Sequence, residues 1–324
     1  MRRNLLKSTS AYKILAKDKS RDSFNHAYLI VCRDGGFLRN YLKDLAKLIM
    51  CKDKEYCDDC RLCRLIESEK HSDVTFYPEQ GKKIVVADID DLVDKSYIKP
   101  MEESKRLFVL EDMSQANTQA QNKLLKTLEE PPQGVIILMG ATSEYKLLPT
   151  VKSRVKRLEI SPFGENVLYK EYKNAYSDDT RLRLSVGMSG GLESEVERIY
   201  NDQSSLDNYN FVIDVLLNLK SSRDVIKYTS KITKNNLDKF IYILQAVLRD
   251  VLALNSGGEC IILSDKERNA FVAREDEFRS GALIGIIDRL KKAELALNFN
   301  GNVNMIADDI LFGILEEKHK WQKL

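Results

Sequence analysis

The chain has 324 residues, long for one core, so two or three domains are expected. It is 43% hydrophobic and 31% charged with a net charge of only +2, which argues neither for a strong stand-alone nucleic-acid binder nor for an anionic membrane partner. No uncharged apolar run approaches the ~20 residues a membrane helix needs, and the basic start MRRNLLKSTS lacks the apolar stretch of a secretory signal, so a cytoplasmic chain is expected.

The first half alternates strand-like and helical patterns. Ala27-Tyr28-Leu29-Ile30-Val31 reads as a buried strand, followed by the turn Arg33-Asp34-Gly35-Gly36 and a helix through Leu38, Leu42, Leu45 and Ile49. Further strands are expected at Val74–Tyr77, Arg106–Leu110 and Val135–Met139, with helices near Asp88–Ser96 and Gln115–Leu128. Such alternation predicts a parallel sheet covered on both faces, with ligands at the carboxyl ends of its strands. After Ser161-Pro162-Phe163 the strand signal fades. Residues 163–203 read as short helices broken at Gly187 and at Gly190-Gly191. From Leu206 onward the pattern is helical, including Leu237–Leu254 and Leu283–Leu297, with the loop Asn255–Gly258 between helices.

Four of the six cysteines fall within thirteen positions: Cys51, Cys57, Cys60 and Cys63. CxxC spacing lets two sulfurs reach one ion from a tight turn, and four thiolates around zinc make a closed, structural site. Cys32 and Cys260 stand apart and read as buried small residues, and His71 reads as a turn or surface residue. A working phosphate loop follows a strand and reads GxxxxGK[ST]. Here Cys32 stands where its first glycine belongs, Gly35 and Gly36 form the turn, Leu38 takes the lysine position and Arg39 the Ser/Thr position. The missing lysine removes a charge that ATP phosphates need, and the missing hydroxyl removes a magnesium ligand. Arg39 leaves weak anion binding open. Lys105–Asp112 is an apolar strand ending in the acids Glu111 and Asp112, the shape of a Walker B segment in which an acid orients magnesium. With only His26, His71 and His319 available, no nucleophile-base arrangement can be assembled.

The segments Asn122–Pro132 (NKLLKTLEEPP) and Leu147–Arg154 (LLPTVKSR) are long and specific. With His26-Ala27-Tyr28-Leu29 and the cysteine cluster, they make the chain resemble the clamp-loader AAA+ family of bacterial DNA polymerase III. The resemblance is strong over residues 23–160 and weaker beyond, where Asn300–Asn304 looks like the family's Asn-rich turn. It implies an α/β parallel-sheet AAA+ (P-loop NTPase-like) domain over 1–161 with a zinc module near 51–63, a small helical lid over 162–205 and an all-helical collar over 206–324. The failed phosphate loop points to the delta-prime branch rather than the gamma/tau motors. That branch implies no productive ATP binding in cis, and Ser153 and Arg154 serving as an arginine finger toward a neighbour's ATP. It also implies Thr142 or Ser143 at the γ-phosphate-sensing position, and Glu193-Ser194-Glu195 where motors often carry a sensing arginine. The partners it implies are gamma/tau and delta subunits and, through the complex, the sliding clamp and primed DNA. Two rival readings are a gamma/tau-type ATPase and a zinc-containing DNA-binding module. The near balance of acids and bases between Cys51 and Cys63 disfavours the second.

Overall fold

The computed structural model describes residues 2–53, 55–299 and 301–322. Lys54, counted among the charges of the cysteine loop, and Asn300, the first residue of the Asn-rich turn, lie outside the described residues. The chain divides into two compact units. One runs to Phe163 and includes Leu192–Ser194; the other comprises Gly164–Gly191 and the chain from Glu195 onward.

The first unit opens with helices α1 (Arg2–Ser8) and α2 (Ser10–Ser20), then alternates strands and helices. Strand β1 (Ala27–Cys32) leads to α3 (Leu38–Met50) and α4 (Arg61–Glu67). Strand β2 (Val74–Tyr77) leads to α5 (Val86–Ser96), and β3 (Arg106–Leu110) to α6 (Thr118–Glu129). Strand β4 (Val135–Ala141) leads to the short α7 (Pro149–Lys152), and β5 (Lys156–Ile160) closes the series. The strands form one parallel sheet in the order β2-β3-β4-β1-β5. Because side chains alternate across a strand, each strand feeds both faces. Tyr28, Ile30, Leu107, Val109 and Leu138 pack against α2 and α3 on one side. Leu29, Phe108, Leu110, Ile137 and Met139 pack with Ile89, Leu92, Leu124 and Leu128 on the other. This is the α/β parallel-sheet domain expected from the sequence.

Strand β5 was not among the expected strands. Its sequence KRLEI buries only Leu158 and Ile160, and it lies at the sheet edge, where charged residues commonly blunt further pairing. The helix α6 begins where the Asn117 side chain accepts from Ala120 N–H at 2.8 Å and ends before Pro131-Pro132, which cannot continue it.

The second unit is helical: α8 (Glu165–Tyr172), α9 (Asp179–Met188), α10 (Glu193–Asn201, whose first two residues belong to the first unit), α11 (Gln203–Asn218), α12 (Ser222–Thr229), α13 (Leu237–Asn255), α14 (Asp265–Val272), α15 (Ser280–Asn298) and α16 (Val303–Gln322). Its core gathers Tyr209, Phe240, Leu244, Val247, Phe271, Leu290 and Ile310. Gly187 does not break a helix, as the sequence reading had it; it lies inside α9. A Cβ there would stand 2.2 Å from Ile262 Cγ1, so glycine serves close packing. Among the described residues no helix is long and apolar enough to cross a membrane.

Candidate functional site

The turn after β1 is closed from within. Asp34, 3% exposed, accepts from Phe37 N–H at 3.2 Å and from Ser194 N–H at 3.1 Å. Cys32 is a buried thiol whose pKa burial pushes up to about 12. Phe37, one residue before the lysine position, is buried as well. Leu38 is 1% exposed and lies over β4, where its Cδ1 is 3.0 Å from where a Cβ on Gly140 would be. A Gly140 side chain would also meet the Glu111 carbonyl at 2.2 Å, so only glycine lets β4 pass there. Leu38 is thus a core residue pointing into the sheet. Glu193 is fully buried and accepts from the Tyr41 hydroxyl at 2.6 Å. This acid is therefore a packed hydrogen-bond partner.

Arg39 is held by carboxylates. Its Nε and Nη2 donate to the two oxygens of Glu69 at 2.8 and 2.6 Å, a bidentate pair. Its Nη1 donates to the Pro78 carbonyl at 3.1 Å and to Glu111. The Arg39 side chain is only 9% exposed. Burial disfavours its charge, but the bonds from Glu69 and Glu111 outweigh that and hold its pKa above the usual value. The anion contact left open for Arg39 by sequence is filled by the chain's own acids. Glu111, one of the two acids available to a divalent cation, faces a guanidinium instead.

Asp112 is equally engaged. It accepts from Ser114 N–H at 3.1 Å, Ser114 Oγ at 2.5 Å, Gln115 Nε2 at 3.0 Å, Thr142 N–H at 3.1 Å and Thr142 Oγ1 at 3.0 Å. Burial would raise its pKa, but these bonds outweigh burial and hold it below the usual carboxylate range. Thr142, one of the two residues expected at a sensing position, is committed to this cluster through its hydroxyl. The structure thus brings Gly35, Leu38, Arg39, Glu111, Asp112 and Thr142 together at the carboxyl ends of β1, β3 and β4.

Ser153 and Arg154 follow α7. Ser153 Oγ donates to the Thr150 carbonyl at 3.0 Å. Arg154 Nη1 donates to the same carbonyl at 2.9 Å and to Ser153 Oγ at 3.2 Å, while Nη2 pairs with Glu129 at 2.6 Å. About a third of the Arg154 side chain is exposed. The buried Leu147 and Val151 anchor the connection that carries it.

The four clustered cysteines converge. All four sulfurs lie within 4.8 Å of one another, with Cys51–Cys57 and Cys57–Cys63 at 4.0 Å. Four thiolates around one zinc would stand about 3.8 Å apart, so the set fits a tetrahedral ion. Cys60 N–H donates to Cys57 Sγ at 3.3 Å, and Cys63 N–H to Cys60 Sγ at 3.4 Å. Asp58, at φ 65°, turns the chain between Cys57 and Cys60. The loop is tied down by Lys47, which is 6% exposed and reaches Asp44, Asp58 and Glu67 at 3.2, 2.9 and 2.7 Å. Lys19 donates to the carbonyl of Cys51. These four residues can hold a metal ion. His71 opens a turn, its carbonyl accepting from Val74 N–H at 3.2 Å, as one half of its sequence reading had it; it also accepts from Asp73 N–H at 3.1 Å and is buried, which corrects its alternative reading as a surface residue.

Sequence reasoning missed Glu69 and Lys47 and gave Glu129, at a helix end, no site role. Glu69 and Glu129 meet Arg39 and Arg154 across 30 and 25 positions, and Lys47 meets Asp44, Asp58 and Glu67 across 3, 11 and 20.

The family model described as DNA polymerase III, delta subunit, matches residues 7–164. The delta' subunit of DNA polymerase III from Bacillus subtilis is 28% identical over 193 residues, 59% of this chain and 59% of that protein. The tau subunit of the same organism is 22% identical over 340 residues, covering 95% of this chain and 60% of that protein. The chain therefore spans about three-fifths of the length of these curated relatives. A solved gamma subunit-related protein of Thermotoga maritima shares 17% identity at a TM-score of 0.43, covering 95% of this chain and 100% of that one. The family model covers most of the sheet-bearing unit, and the chain is similar to delta-prime subunits of bacterial DNA polymerase III from several organisms.

Proposed function

We propose that the chain is the non-hydrolysing delta-prime subunit of a bacterial clamp loader, with a degenerate ATP site of its own. The observation that carries this reading is the commitment of Arg39 to Glu69 and Glu111 beside a buried Leu38. A nucleotide would find no lysine for its phosphates, no hydroxyl for magnesium, and a Walker-B-like acid already neutralised. Arg154, with Ser153, would serve as an arginine finger that completes the ATP site of a neighbouring gamma/tau motor. Its planar, permanently charged fork suits a γ-phosphate. Residues 162–205 would form the lid and 206–324 the collar through which the subunit joins the assembly. With delta and gamma/tau subunits, the cytoplasmic complex would place the sliding clamp on primed DNA during replication.

Cys51, Cys57, Cys60 and Cys63 would hold a structural zinc. Bound there, zinc would cross-link the loop after α3 to the start of α4 and supply no catalysis, since four thiolates leave no open position. Titration calorimetry of the purified chain with Mg-ATP tests the degenerate-site reading. No heat of binding and no turnover are expected; tight binding with turnover would make the chain a motor.

A further inference from the structure

Helix α6 ends in Glu129, with Glu130 next and then two prolines. The C-terminus of a helix carries the negative end of its dipole, so acids there are locally unfavourable. Neither acid is needed to stop the helix, because the prolines do that. Glu129 nevertheless reaches out of α6 to pair with Arg154 at 2.6 Å, with about half of its side chain in solvent. The other Arg154 terminal nitrogen is held by the Thr150 carbonyl and Ser153 Oγ. The guanidinium is therefore both oriented and neutralised before any partner arrives.

Resting on the arginine-finger reading, we propose that Glu129 is a positioning residue that holds Arg154 as a releasable latch. Glu129 competes with the neighbour's γ-phosphate for one edge of the guanidinium. An exposed ion pair of this kind is weak. A phosphate with more charge and three acceptor oxygens displaces it, whereas a neighbour without a γ-phosphate does not. The contacts to Thr150 and Ser153 keep the finger aimed while Glu129 lets go. The latch thus ties engagement of this subunit to the nucleotide state of its neighbour without any nucleotide bound in cis.

The test titrates this chain into a reconstituted loader at saturating Mg-ATP and follows phosphate release. Wild type, Glu129→Gln, Arg154→Ala and the double variant are compared. Glutamine keeps the shape and removes the charge, and circular dichroism checks that the fold is kept. The chain concentration for half-maximal stimulation should fall about two- to fivefold in Glu129→Gln, the change lying in half-saturation rather than in the plateau rate. The double variant should match Arg154→Ala, because the latch has nothing to hold. Half-saturation that is unchanged or higher in Glu129→Gln, while Arg154→Ala loses stimulation, overturns the latch alone. Wild-type stimulation by Arg154→Ala overturns the finger and the latch together.

Discussion

Replacing Arg39 by methionine removes the cation from between two acids and keeps most of the side-chain volume. Breaking a buried ion pair by deleting one partner costs about 3–5 kcal/mol, because the other charge is left behind. Here the Glu69 and Glu111 side chains keep 22% and 27% exposure, and Glu69 retains Lys43 at 2.9 Å. That relief places Arg39→Met at the lower end, about 3 kcal/mol, or roughly a hundredfold in the unfolding constant of the first unit. For a unit of this size the loss lowers the melting temperature by about 6–12 °C. Urea unfolding followed by the fluorescence of its tyrosines gives the value directly. The pH dependence carries a sign. The bond from Arg39 is the largest cause holding Glu69 below its usual pKa. Its stabilisation is therefore present above the unfolded glutamate range and is lost as pH falls through the lower folded value. The gap between wild type and Arg39→Met should narrow on acidification below about pH 4.5. A variant within about 0.5 kcal/mol of wild type at pH 7 would mean that Arg39 is not committed to these acids. It would then be free for a phosphate, and the degenerate-site reading would lose its support.

Two further outcomes follow from the packing. One zinc per chain is expected by elemental analysis, and Cys60→Ser or a strong chelator should remove it and open the 51–63 loop to protease; a metal-free chain equally resistant to protease would contradict a structural ion. Gly187→Ala should destabilise the helical unit by about 1–3 kcal/mol, since its methyl would overlap Ile262, and calorimetry showing no loss would contradict the observed approach.

The sequence made the sheet domain legible because β1, β3 and β4 are buried on both faces and read as unbroken apolar runs. Strand β5 escaped because an edge strand with three charged residues in five carries little apolar signal. Gly187 misled because glycine in a helix is read as a break, while here the space is taken by a side chain 75 positions away. The departures from a phosphate-loop pattern were visible residue by residue in Cys32, Leu38 and Arg39. The acids that hold Arg39 were not, since they lie 30 and 72 positions downstream. Likewise the cysteine spacing announced a cluster able to hold a metal, but its ties to Lys19 and Lys47 come from folding.

The central claim is that Arg154 acts on a neighbour's ATP, and a rapid-quench single turnover of the assembled loader tests it most directly. Loader carrying Arg154→Ala should assemble normally on size-exclusion chromatography. The share of bound ATP at the site beside this chain should stay unhydrolysed on the wild-type timescale, its rate falling by about 10³-fold or more. A full burst at the wild-type rate from the intact complex would contradict the account.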